Sequence, residues 1–161
     1  MKTRIAIVAL ACAVLIPACG FRLQGRTPLP EALASVYVDA ENPQTDFVVN
    51  LRRLLVSSGA KLVHDASQAS ATVRVLEDEA TRSVVSVSAA NSPVEIAIEY
   101  KVRFAVVAGD RELLPEQPLA ASRSFSFDER LLLAKEHEED LLRETLARDL
   151  AGIAMRRLAS L

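Results

Sequence analysis

From Val94 to Val106, apolar and polar residues alternate almost without a break. Val94, Ile96, Ile98, Tyr100, Val102, Phe104 and Val106 fall in one phase, and Glu95, Glu99, Lys101 and Arg103 in the other. A period of two is the signature of a strand with one buried face. At about 3.4 Å per residue this strand would extend about 40 Å, longer than a small domain needs. The excess predicts a projecting β-ribbon, or a sheet that contacts something beyond its own core. Shorter segments of the same kind surround it: Ser35 to Asp39, Lys61 to Val63, Ala71 to Leu76, Thr81 to Val87 and Leu119 to Phe127. Asp65 to Ser70, Asn91-Ser92-Pro93 and Ala108-Gly109-Asp110-Arg111 read as turns, and Pro115 and Pro118 predict an irregular connection before the last strand.

Two segments repeat at helical spacing instead. Phe47, Val48, Leu51, Leu54 and Leu55 form one apolar stripe, with Asn50, Arg52 and Arg53 off it. Asn42-Pro43 predicts the start of this helix and Gly59 its end. In the last third of the chain Leu142, Leu146, Leu150, Ile153, Ala154 and Leu158 form a second stripe. Glu136, Glu138, Glu139 and Asp140 predict an acidic first turn for that helix, and Arg156 and Arg157 a basic end, which suits the helix dipole. The order strand, helix, several strands, helix predicts an α+β fold: two helices packed on one face of a small, mostly antiparallel four- to five-stranded sheet. Nothing in the pattern covers the other face.

The first residues follow a different plan. Lys2 and Arg4 precede an apolar run from Ile5 to Ile16, and Ile16-Pro17-Ala18-Cys19 closes it with a small residue before a cysteine. That is the order of a secretory signal ending in a lipobox, with Pro17 an unusual occupant. The run is shorter than the roughly 20 apolar residues a membrane-spanning helix needs. Cys19 then reads as the acylated first residue of the mature chain; the alternative is a small hydrophobe in an ordinary signal peptide or a buried helix. Gly20 follows where an Asp would suggest inner-membrane retention, so lipid anchoring on the periplasmic side of the outer membrane is expected. The expected organisation is a removed signal peptide at 1–18, a lipidated tether at 19–30 and a single domain at 31–161.

These boundaries limit the chemistry. Of the two cysteines in the 161 residues, Cys12 would leave with the signal, so no disulfide or cysteine metal site is expected in the mature chain. The formal charge of -2 becomes more negative without Lys2 and Arg4, which gives no support for nucleic-acid binding. His64 and His137 stand alone, without H-E-x-x-H or a paired cysteine, and neither is assigned to a metal. No nucleophile elbow, P-loop or dinucleotide glycine pattern is present, and Ser83, Ser86 and Ser88 read as solvent-facing strand residues. The expectation is a protein that is not an enzyme and uses no cofactor. Arg123, in the phase of Phe125 and Phe127, is either an edge residue reaching water or a ligand contact.

Two stretches carry a family resemblance. Cys19-Gly20-Phe21-Arg22-Leu23-Gln24-Gly25, at the lipidation site, resembles the Cys-Gly-aromatic-x-Leu opening of the lipopolysaccharide-assembly lipoprotein family LptE. Arg123-Ser124-Phe125, followed by Leu133-Ala134-Lys135-Glu136-x-Glu138-x-Asp140-Leu141, is similar to that family's R-S-F and A-K-x-x-E-x-D segments. The resemblance implies a non-enzymatic partner of the outer-membrane translocon barrel LptD, which plugs the barrel, aids its assembly and binds lipopolysaccharide. It also implies a role for Lys135 opposite lipid A phosphates, beside the plainer reading of a solvated lysine. The family's other basic position lies near the strand-to-strand turn, where Ser88-Ala89-Ala90-Asn91-Ser92-Pro93 carries no charge here; Arg82, earlier on the preceding strand, is the substitute. The candidate lipopolysaccharide-binding residues are therefore Lys135, which the resemblance implies, Arg82 as the substitute for the uncharged turn, and Arg123 from its place in the aromatic phase. Two other classes stand beside it: a lipid-anchored periplasmic binding module for another envelope transporter or polymer, and an envelope hydrolase whose site assembles only in three dimensions.

Overall fold

The computed structural model describes residues 29–161. The expectations for Lys2, Arg4, Cys19 and most of the 19–30 tether lie outside the described residues. Five strands form one sheet: β1 (Ser35–Ala40), β2 (Lys61–Leu62), β3 (Ala71–Val87), β4 (Pro93–Ala108) and β5 (Arg111–Ser126), in the order β2-β1-β3-β4-β5. Two helices complete the fold, α1 (Asp46–Ser57) and α2 (Leu132–Ala159). β1 pairs in parallel with both β2 and β3, over short ladders. The long ladders, β3 with β4 and β4 with β5, are antiparallel. The expected α+β architecture is what the chain adopts: two helices on a mostly antiparallel five-stranded sheet, whose parallel pairs are the two short ladders of β1.

The core is built from the inward phase of β4 and the apolar stripes of the helices. Ile96, Ile98, Tyr100, Val102, Phe104 and Val106 are all buried, against Phe47, Val48, Leu51 and Leu55 of α1 and Leu146, Leu150, Ala154 and Leu158 of α2. Burial of large apolar side chains from three elements is the main stabilising contribution here. Val94, in the same phase, is 40% exposed, because it lies at the far end of the sheet, near the tip of the β3–β4 hairpin.

Several local expectations change. α1 begins three residues after Pro43: Thr45 is its N-cap, and Thr45 Oγ1 accepts a hydrogen bond from the Val48 amide at 3.3 Å. Asn50 is not off the core but 7% exposed, its amide donating to the Asp46 carbonyl at 2.8 Å and its oxygen accepting from Arg53 at 3.1 Å. Gly59 does end α1, at φ +100°. The segments around Leu76 are one strand, because β3 runs on through the charged residues with a register shift between Val75 and Glu77. The prolines at 115 and 118 lie within β5, which tolerates them as the edge strand of the sheet among the described residues.

α2 also differs at its start. It begins at Leu132, so its first turn holds no acidic residue and Glu136 to Asp140 lie one to two turns further in. The dipole does not account for them; Glu138, Glu139 and Asp140 are ion-paired, as described below.

Candidate functional site

The two helices cover unequal parts of the sheet. α1 has twelve residues and packs where β1 lies beside the start of β3, while α2 runs back along the sheet from the end of β5. The inner face near the β3–β4 hairpin is therefore roofed by the first turns of α2 alone, and Val84 there is 52% exposed. All three basic residues singled out in the sequence lie in this thinly covered half.

Pairing fixes their arrangement. Arg82 on β3 is opposite Ile98 on β4, and Ile98 is opposite Arg123 on β5. Directly opposite residues of antiparallel strands share a face, so the two arginines flank the buried Ile98 in one row on the helix side. The next row toward the hairpin is Val84, Ile96 and Phe125. Lys135, in the first turn of α2, reaches this row: its Nζ is 5.8 Å from the centre of the Phe125 ring. Arg82 makes the corresponding approach to Phe127, at 5.5 Å. Each cation thus rests against an aromatic ring, an attractive contact between positive charge and the ring face.

Each cation also has a carboxylate. Lys135 Nζ is 2.8 Å from Glu138 Oε2, and Arg82 Nε is 3.3 Å from Glu139 Oε2. Glu139 is shared with Arg143, whose guanidinium also meets Asp140 at 3.0 Å. The cluster expected to compensate the helix dipole is instead a ladder of ion pairs tying α2 to β3. Arg82, Lys135, Phe127, Glu136, Glu139 and Asp140 line a cleft of about 420 Å³. Three carboxylates against two cations make it unfit for an anion unless the cations exchange partners. Arg123 is exposed, across Ile98 from this cleft. The uncharged turn lies beyond all three, with Asn91 in the left-handed region at φ 60°.

Among the described residues, the opposite face of β3, β4 and β5 carries no helix. Arg103 bridges all three strands there, with Nε 3.4 Å from Glu77 and Nη1 3.0 Å from Glu116. Ser124 Oγ donates to Glu95 at 2.7 Å, and Lys101 pairs with Glu99 at 3.1 Å. Such exposed pairs contribute little to stability singly. They do define a hydrophilic surface of small and charged residues.

Sequence reasoning missed one polar centre. The register shift at Leu76 turns Asp78 inward, where its Oδ1 accepts from the Tyr100 hydroxyl at 2.7 Å and its Oδ2 accepts from Thr45 Oγ1. Burial pushes the Asp78 carboxyl above its ordinary range, against the lowering effect of the two hydrogen bonds. Burial, joined by the hydrogen bond to Asp78, pushes the Tyr100 hydroxyl up as well. The one available signal was Tyr100 itself, since a tyrosine in a buried phase needs a partner for its hydroxyl.

Among the described residues no group of acidic, histidine or cysteine side chains is placed to hold a metal, and His64 and His137 are far apart in the fold, on the β2 side and on α2. No helix among the described residues is long and apolar enough to cross a membrane.

The same arrangement of two helices on a five-stranded sheet occurs in solved lipoproteins. A lipoprotein B from Nitrosomonas europaea superposes with a TM-score of 0.72 at 24% identity, covering 88% of this chain and 91% of that one. Rare lipoprotein B from Shewanella oneidensis gives 0.68 at 23%, covering 78% and 94%. The fold is one that bacterial lipoproteins use. The family model described as LptE, lipopolysaccharide-assembly, matches residues 33–158, and the chain belongs to that family. The LPS-assembly lipoprotein LptE of Pectobacterium atrosepticum is 29% identical over 163 residues, spanning 100% of this chain and 88% of that protein.

Proposed function

We propose that this chain is an outer-membrane lipoprotein, anchored through acylated Cys19, that binds and plugs an LptD-like β-barrel and assists its assembly. Its role is non-enzymatic. The observation that carries the reading is the face of β3, β4 and β5 turned away from the helices: three strands of 16 or 17 residues with a hydrophilic surface that, among the described residues, no element packs against. A surface of that length and polarity suits a wet interface inside a barrel lumen, where interfaces are polar and water-bridged. Family membership supplies the process, lipopolysaccharide assembly.

Within that role, Lys135, Arg82 and Arg123 contact lipid A phosphates. Arg123 is exposed and meets the ligand first; Lys135 and Arg82 follow by exchanging Glu138 and Glu139 for phosphate oxygens. Guanidinium and ammonium groups bind phosphate through charge-assisted hydrogen bonds, which makes such an exchange feasible. The test of the main reading is co-purification from outer membranes in mild detergent. Recovery with a large β-barrel is the expected result, and recovery of the chain alone would sink the plug assignment.

A further inference from the structure

The other edge of the sheet is unfinished. β2 pairs with β1 only at Ser35 and Val36, and the last contact is the Val63 amide donating to the Val36 carbonyl at 3.0 Å. β1 continues to Ala40 and, among the described residues, no strand lies on that side. In a parallel ladder alternate residues of a strand face the same neighbour, so Val38 and Ala40 present their backbone groups to the gap that β2 leaves. A short open edge of this kind is a template for an added strand.

The gap is a cleft of about 340 Å³, with Tyr37, Pro43, Leu62 and His64 in its walls and Arg52 reaching in from α1. Arg52 stands in for the missing strand. Its Nη2 donates to the Val38 carbonyl and its Nη1 to the Pro43 carbonyl, both at 3.4 Å. These are long bonds, at the weak end of the range. Among the described residues no carboxylate lies within ion-pair distance of Arg52, and none lines the cleft. Arg52 is thus a positive charge held only by two weak carbonyl contacts, beside an open strand edge.

From this juxtaposition we infer that the cleft binds the C-terminal end of an extended peptide from a partner protein. The peptide adds as a short strand beside Val38 to Ala40, and its terminal carboxylate takes both guanidinium nitrogens of Arg52. The fork of a guanidinium matches a carboxylate in two parallel hydrogen bonds, which two long bonds to separate carbonyls do not replace. This surface is on the opposite edge of the sheet from β5 and separate from the basic row at the hairpin.

The test is nuclear magnetic resonance of the full chain in detergent micelles, titrated with a Thr-Val-Thr-Val peptide bearing a free carboxylate and with the same peptide amidated. The expected result is saturable shifts of the Val38 and Ala40 amides and of the Arg52 side chain by the free acid, with affinity at least about tenfold lower for the amide. Arg52→Gln should reduce affinity for the free acid to that of the amide. Equal binding of both peptides by the wild-type chain, or no shift along β1, overturns the proposal whatever the variant does. Shifts confined to Arg52, as acetate alone would cause, also overturn it, because no strand has then been added.

Discussion

The Tyr100 hydroxyl sits 2.7 Å from Asp78 Oδ1, and the same carboxylate accepts from the side chain that caps α1. Three elements, β3, β4 and the start of α1, therefore meet at one carboxylate. Tyr100→Phe removes one bond of this centre while leaving the ring in place, and Tyr100 is only 3% exposed. The expected loss is about 1–2 kcal/mol of unfolding free energy, read from the urea midpoint at unchanged slope. An unchanged midpoint would show that the bond contributes nothing net.

Asp78 also sets a pH dependence. Its carboxyl is held above the ordinary value of 3.8, chiefly by burial, so the folded state keeps the proton to higher pH than the unfolded chain. That contribution to stability is fully present below 3.8 and is lost as pH rises through the folded-state value. Asp78→Asn carries no charge to desolvate. Its stability relative to wild type should therefore rise between about pH 3.5 and pH 7. A constant difference across that interval would mean that the carboxyl titrates alike in both states.

Gly59 closes α1 at φ +100°, with open space where a side chain would project. Gly59→Ala has no clash to relieve, so its cost is backbone strain alone, about 1–2 kcal/mol. Thermal melts of the two proteins measure it. A smaller effect would indicate that the C-terminus of α1 relaxes to a different turn.

For lipid A contact, Lys135→Glu reverses the charge over Phe125 and sets two carboxylates three residues apart on α2, facing Glu138. Lipopolysaccharide binding should fall about tenfold while recovery of the barrel complex is unchanged. Unchanged binding removes Lys135 from the ligand site.

Cys19→Ala should abolish acylation. Mass spectrometry of the membrane fraction then finds neither the lipid-modified N-terminus nor the anchored chain. A lipid-modified variant would refute the lipobox assignment.

How much was legible in the sequence depended on whether local period was enough. The phase of β4 was, because each of its inward residues from Ile96 to Val106 is buried. β3 was not: the insertion at Leu76 breaks the alternation, so Glu77-Asp78-Glu79 reads as a gap between two strands, and Asp78 is turned inward by an effect that only pairing with β4 reveals. Pro115 and Pro118 misled for a related reason. A proline argues against a central strand, and that β5 is an edge is a fact of topology. The start of α2 was missed because Leu131, Leu132 and Leu133 are exposed and fall on no core stripe. Among the candidate basic residues, the row that Arg82 and Arg123 share through Ile98, and the acids that pair Arg82 and Lys135, needed strand register and helix placement and could not be read from the sequence.

The length of β3 makes the sheet a ruler. β1 begins beside the first residue of β3, and the hairpin turn follows its last, so the chain's described start and the Ser88 to Ser92 turn lie at opposite ends. Seventeen residues at about 3.3 Å each separate them by roughly 55 Å, against about 30 Å for the hydrocarbon thickness of a bilayer. With the strands along the membrane normal, the lipid proposed at Cys19 would hold one end of this ruler and leave the hairpin at a level that the anchor itself does not reach.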